Sequence, residues 1–289
     1  MIARITALIL LLSALPLQAA VVLPVERPWL GLPQVEARLN GRVTGRFIVD
    51  TAASETMLSD PIIAALGLSR GQPAEMTGTT GRAALERYRL AELALGRRVY
   101  GDLGAYSFPR LSAPVGADGL IGADILRRQP VEFDLPGNRL ILHDRDPDIV
   151  RPAAGWLEVP ASQRRNGFLI VEVRIGRLTL PALIDSGATQ NFVNLPAARQ
   201  LGLRVLPDSA SRTAVTGASG HVQLMNQFDL SGFEIGGMRF GASRLGVVDL
   251  ELFDSLGLGD RPAMILSLDT LADRRFVLDY PRSRVLIAR

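Results

Sequence analysis

Phe47-Ile48-Val49-Asp50-Thr51-Ala52-Ala53-Ser54 returns 135 residues later as Ala182-Leu183-Ile184-Asp185-Ser186-Gly187-Ala188-Thr189. Each copy is an apolar run that ends on an acid, followed by a small hydroxyl residue and two small residues. The apolar run calls for a buried strand, and the small residues after the acid call for a tight strand-to-loop turn. Glycine or alanine after the hydroxyl leaves room for backbone N–H groups, or a second backbone, to approach the carboxylate. A single Asp-Ser-Gly-Ala is an ordinary turn string. Two in register within a longer repeat are much more specific.

The repeat extends outward in both directions. Upstream, Val35-Glu36-Ala37-Arg38 matches Val171-Glu172-Val173-Arg174. Downstream, Pro61 to Leu68 is echoed by Pro196 to Leu203, each reading as a short helix stopped by a glycine, Gly67 or Gly202. The glycine-rich segments 77–81 (Thr77, Gly78, Gly81) and 216–220 (Thr216, Gly217, Gly220) correspond. So do Leu120-Ile121-Gly122 and Ile265-Leu266-Ser267, and so do Phe133-Asp134 and Leu278-Asp279. Short apolar runs bounded by Gly, Pro, Asn and Asp dominate each copy, so the fold class is mainly β: two tandem lobes of one fold. The polar, Pro-rich stretch between Asp144 and Gly155 sets the boundary near Val150, giving lobes over 21–150 and 151–289.

Residues 1–20 read as a cleavable secretory signal: Arg4, an apolar run from Ile5 to Leu17, then Gln18, Ala19 and Ala20. That run is shorter than the roughly 20 residues needed to span a bilayer, so no stable membrane insertion is expected after cleavage. A periplasmic or secreted location follows.

The chain has no cysteine, which excludes thiol nucleophiles, disulfides and zinc–thiolate sites. It has no lysine either, so phosphate-loop and Schiff-base chemistry lack their key residue. A net charge of only +3, carried by scattered arginines, is not the footprint of a nucleic-acid binder. His143 and His221 are the two histidines; neither accompanies a nucleophile-elbow sequence or forms a compact metal-ligand pattern. No cofactor and no metal is expected. What remains is chemistry run by carboxylates. Should the lobes pair about a pseudo-two-fold axis, Asp50 and Asp185 share one site, where two like charges cannot both ionise comfortably. Such a pair holds one proton and activates water, one acid as general base and the other as the donor that polarises a carbonyl; aspartic proteases are a standard example of such a dyad.

These residues resemble the retropepsin-like and pepsin-like aspartic proteases, in particular exported bacterial chains with two retropepsin-like β-barrel lobes. The likeness runs from about Leu23 to Arg289. Asp185-Ser186-Gly187-Ala188 and Leu120-Ile121-Gly122 fit the family pattern fully; Ala52 and Ser267 stand where the family has glycine. The resemblance implies an endopeptidase with Asp50 and Asp185 as catalytic acids, supported by Thr51, Ser186, Ala52, Gly187, Ala53 and Ala188. It implies that Thr51 and Ser186 lock the two turns together by hydroxyl-to-backbone bonds, and that segments 77–81 and 216–220 are flaps over an extended polypeptide substrate. With both acids in one chain, a monomer suffices.

Ala53 and Ala188 place no hydroxyl beside the dyad, so activity is expected from mildly acidic to near-neutral pH. Asp124 and Asp269 read as helix N-caps, and Asp134 and Asp279 as turn residues. A Cβ at Ala52 is harmless if φ is negative and costly if the turn needs φ > 0. The second reading is therefore an inactive bilobal protein that binds peptides or an envelope partner without cleaving them.

Overall fold

The strands alternate as a half-buried sheet requires. In Gln34–Leu39, Val35, Ala37 and Leu39 point inward while Glu36 and Arg38 face water, and Leu169–Ile175 repeats this with Val171, Val173 and Ile175 inward. The computed structural model describes residues 20–28, 31–108, 116–144, 155–205, 213–217 and 221–289. The signal segment, apart from Ala20, and the boundary near Val150 lie outside the described residues.

The first lobe is a closed barrel of Gln34–Leu39, Val43–Val49, Gly119–Ile121, Met57–Ser59, Arg98–Phe108 and Arg87–Leu95, in that order. The second lobe follows the same order with Leu169–Ile175, Leu178–Asp185, Met264–Ser267, Asn191–Val193, Ser243–Val247 and Val222–Leu230. Its ring is interrupted at one place. The strand equivalent to Arg87–Leu95 is split into Val222–Leu230 and Phe233–Ile235, and the latter pairs back onto Leu169–Ile175. At the break sits Gly232, with φ +150° and no room for a Cβ, which would fall 2.7 Å from the Phe240 carbonyl oxygen.

Each acid-bearing strand runs parallel to the apolar pair that follows later in its repeat. Val49 lies opposite Ile121, and Asp185 opposite Ser267. The short helix Asp60–Leu66 has proline in its first turn and ends on Gly67 at φ +59°, a left-handed stop that glycine adopts without strain. Its counterpart Leu195–Gln200 is capped by Asn194, whose side chain accepts from the Ala197 N–H.

A six-stranded sheet joins the lobes, in the order Val21–Pro24, Arg139–Leu142, Val131–Asp134, Arg275–Asp279, Arg284–Ala288 and Trp156–Pro160. Its central register locates the symmetry. Glu132 faces Val277, and Phe133 faces Phe276, their rings stacked with centroids 4.9 Å apart. An offset of 145 residues relates Glu132 to Val277 and also Asp134 to Asp279, so the pseudo-two-fold axis passes between Glu132 and Val277.

Candidate active site

The two acid-bearing turns meet between the lobes, bound by four hydrogen bonds. Thr51 Oγ1 donates to the Ile184 carbonyl at 2.7 Å and accepts from the Ser186 N–H at 3.0 Å. Reciprocally, Ser186 Oγ donates to the Val49 carbonyl at 2.6 Å and accepts from the Thr51 N–H at 2.9 Å. Both hydroxyls are buried, so every donor and acceptor in this square depends on its partner across the interface. Threonine and serine suit the position because one small hydroxyl both donates and accepts.

Within each turn the backbone wraps the carboxylate. The Ala52 and Ala53 N–H groups donate to Asp50 Oδ1 at 2.9 and 3.0 Å, and the Gly187 N–H donates to Asp185 Oδ1 at 2.8 Å. Burial raises the Asp50 carboxyl to about 6 against the pull of those N–H groups. Burial also raises Asp185 well above the usual carboxylate range, and the neighbouring Asp50 charge adds to it. The pair therefore favours one ionised and one protonated acid.

The two small residues after the hydroxyls are not equivalent. A Cβ at Gly187 would fall 2.6 Å from Asp50 Oδ2, so glycine is there for space. Ala52 is not among the residues with positive φ, and its methyl packs on the apolar cluster containing Phe168, Ile170 and Leu183. Ala53 lies instead beside the first lobe's cluster with Met57, Tyr106 and Leu120, while Ala188 joins the cluster that Ala52 touches.

Two hairpins share the apolar clusters on which the turn alanines pack, Val215 with Ala52 and Ala188, and Ala74, Met76 and Ala83 with Ala53. Ala74–Thr77 and Arg82–Leu85 form the first, its tip closed by the Gly78 N–H donating to the Gly81 carbonyl at 2.8 Å. Thr213–Thr216 pairs with Val222–Leu230 to form the second; Gly220 lies outside the described residues. The tips touch. Thr80 Oγ1 donates to the His221 carbonyl at 2.7 Å and accepts from the Gly217 N–H at 3.1 Å, and Gln223 Nε2 donates to the Thr80 carbonyl at 3.1 Å. Gly81 and Gly217 are where side chains would collide: a Cβ would meet His221 Nδ1 or Thr80 Oγ1, each at 2.8 Å. An ion pair, Arg82 Nε to Glu251 Oε1 at 2.6 Å, ties the first hairpin to the second lobe. Nothing in the repeat marks Gln223 or Glu251, and Thr80 is marked only as part of segment 77–81, because contacts between two loop tips leave no local signal.

The other acids lie apart from this pair. Asp124 and Asp269 are not N-caps: the capping positions are Gly122 and Ser267, neither with a side-chain cap bond, and each acid sits one residue inside its helical turn. Asp124 instead accepts from Thr56 Oγ1 at 2.9 Å, and burial raises its carboxyl to about 6. Asp134 closes its turn, accepting from the Gly137 N–H at 3.0 Å. Asp279 pairs with Arg284 at 2.7 Å. His143 is bound to Glu132 at 2.8 Å in the interlobe sheet. Among the described residues no cluster of His, Asp or Glu has the makings of a metal site, and no helix is long and apolar enough to cross a membrane.

No curated protein matches the sequence. Among solved structures, the chain is similar to basic 7S globulin from soybean, at 13% identity and a TM-score of 0.52, over 93% of this chain and 95% of that one. A likeness so distant in sequence speaks for the bilobal fold alone. The model of the family described as aspartyl protease matches residues 35–125 and again 171–270, once on each copy of the repeat. Those two matches cover about two thirds of the chain, and with them the protein belongs to the aspartyl protease family.

Proposed function

We propose that the protein is an aspartic endopeptidase in which Asp50 and Asp185 act as one dyad on water. The observation that carries this reading is the square of hydrogen bonds made by Thr51 and Ser186, which joins the turn of the half-buried Asp50 to that of the buried Asp185. Ionised Asp50 takes a proton from water as it attacks the peptide carbonyl. Protonated Asp185 donates to the carbonyl oxygen, and the proton then passes to the leaving amine. The touching hairpins roof the site and exclude bulk water once a substrate lies beneath them. The substrate is an extended polypeptide, one chain supplies the whole site, and the apolar leader over 1–20 assigns the enzyme to exported or envelope polypeptides.

A binding protein without activity is the weaker reading, since Ala52 does not occupy positive φ and so does not displace Asp50. The test is digestion of an unfolded protein mixture from pH 4 to 8 by wild type, Asp50→Asn and Asp185→Asn, with pepstatin as a probe. Wild-type cleavage should rise as pH passes through about 6, where Asp50 ionises, and fall where Asp185 loses its proton. Each variant should lose about 10³-fold in kcat/KM. A folded wild type that binds peptides but cleaves none would establish the binding reading instead.

A further inference from the structure

The first lobe's short helix Ala123–Leu126 runs into two arginines, Arg127 and Arg128. At the offset of 145 residues its counterpart, the helical turn Leu268–Leu271, runs into Ala272 and Asp273. The repeat thus serves as an internal control: the fold accepts a neutral and an acidic residue at these two places, so the pair of cations is not a demand of the architecture.

The folded chain brings two more arginines to the same place. In the second lobe, the Gly167 N–H donates to the Arg164 carbonyl at 2.8 Å and closes a turn over 164–167. Gly167, at φ +89°, lets that turn press on the end of the first lobe's helix: a Cβ there would fall 2.8 Å from Arg127 Cδ and 3.1 Å from Ala123 Cβ. Arg127 Nη1 donates to the Arg165 carbonyl at 3.5 Å. Arg127 and Arg128 line a surface cavity of about 510 Å³ with Asp124 and the second lobe's Pro281. Four arginines, two from each lobe, therefore meet at one seam.

Their charge is poorly balanced. Elsewhere arginines are matched by acids, as Arg98 is by Asp144 at 2.7 Å and Arg284 by Asp279 at 2.7 Å. Among the described residues, none of Arg127, Arg128, Arg164 and Arg165 forms an ion pair. Arg127 and Arg128 donate to backbone carbonyls, the latter from Nε to Asp124 at 2.7 Å, and Arg164 Nε is buried without a partner. Asp124, the carboxylate of the cavity, accepts from Thr56 Oγ1 instead and can offset at most one of the four charges. Guanidinium groups gathered without counter-charges repel one another, and a tetrahedral oxyanion, with several acceptors for their forked donors, relieves that repulsion.

We propose that this seam is a binding site for a phosphate-class oxyanion, held by Arg127 and Arg128 of the first lobe and by Arg165 of the second. The bound ion ties the lobes together directly behind an acid turn, because the Ala123 N–H at the start of the same helix donates to the Ala53 carbonyl at 2.8 Å. The site does not depend on the protease reading.

The test is calorimetric titration of the full chain with inorganic phosphate, against sodium chloride at matched ionic strength, in wild type, Arg127→Gln and Arg165→Gln, with Arg89→Gln, an exposed arginine elsewhere, as control. Wild type and Arg89→Gln should bind one phosphate per chain. Each seam variant should lose about tenfold in affinity, the worth of one charge-assisted hydrogen bond. Phosphate, and not chloride, should also raise the thermal midpoint of wild type. Co-sedimentation with phosphatidylglycerol vesicles that is displaced by phosphate and weakened in the seam variants assigns the oxyanion to a lipid headgroup; calorimetric binding without co-sedimentation assigns it to a free ion, and either supports the site. A wild type that binds no phosphate overturns the proposal, as does equal binding in wild type and both seam variants. None of these readouts needs turnover, so a chain that cleaves nothing leaves the proposal to be decided by phosphate alone.

Discussion

The two lobes keep their glycines in opposite places. Beside the first lobe's helix, a Cβ at Gly122 would fall 2.6 Å from the Glu55 carbonyl carbon and 2.9 Å from the Ala53 oxygen. The second lobe has Ser267 there, its N–H donating to Asn191 Oδ1 at 2.9 Å, at the wall of a cavity of about 390 Å³ shared with Thr189, Gln190 and Asp269. In the acid turns the pattern reverses. Gly187 is crowded by Asp50, whereas Ala52 finds an apolar surface for its methyl. Glycine persists where another backbone or a carboxylate comes within contact distance, and is replaced where the neighbour stands back. Two copies in one chain can diverge in this way because each residue answers to its own surroundings.

The sharpest way to break this comparison is a pair of exchanges in the acid turns. Gly187→Ala drives a methyl into the Asp50 carboxylate and should cost about 10²-fold in kcat/KM, since small displacements at a reacting group are that expensive. Ala52→Gly, which restores the family residue, should change kcat/KM by no more than about threefold and lower stability by about 0.5–1 kcal/mol through backbone entropy. Similar losses of activity in both would show that the turns are equivalent after all.

The acids themselves can be compared by stability. An unfolded aspartate ionises near pH 3.9, whereas folded Asp50 does so at about 6. Between these values the folded chain holds more protons, so stability falls as pH rises and stays lowered above that window. Asp50→Asn should therefore raise stability at pH 7 by about 3 kcal/mol while abolishing cleavage. Asp185→Asn should raise it too, because burial and the Asp50 charge lift the Asp185 carboxyl above the usual range. Urea denaturation at pH 4 and 7 reads both, and a destabilised Asn variant at pH 7 contradicts the assignment.

The smallest effects lie beside the short helices. Gly122→Ala should cost about 1–3 kcal/mol, as overpacking against rigid backbone does. Ser267→Gly should cost about 1 kcal/mol or less, since its hydroxyl makes one long bond to Asn191, at 3.4 Å. Thermal melts of the two variants decide which lobe holds its loop more tightly.

Much of this architecture is legible in the chain because it is local or repeated. Gly67 ending a helix and Asp50 and Asp185 at strand ends rest on short-range sterics. Their recurrence at a constant spacing identifies two lobes before any contact is known. The misreading of Asp124 and Asp269 as N-caps shows the limit of that method. An aspartate before apolar residues resembles a cap, but the chain enters the helix two residues earlier, at Gly122 and Ser267, where backbone crowding and parallel pairing set the boundary.

Apolar periodicity, turn chemistry and duplication are written along the chain, and they suffice for the fold class and for the internal repeat that sets Asp50 and Asp185 at strand ends. Only the folded chain makes it plain that Gly187 must remain glycine while Ala52 need not, and that Thr80 clasps His221 and Gly217. The reason is distance along the chain. The Thr80–His221 contact spans 141 residues and the Thr51–Ser186 contact 135, so which groups meet depends on how two folded lobes dock, which no local rule of sterics or propensity contains.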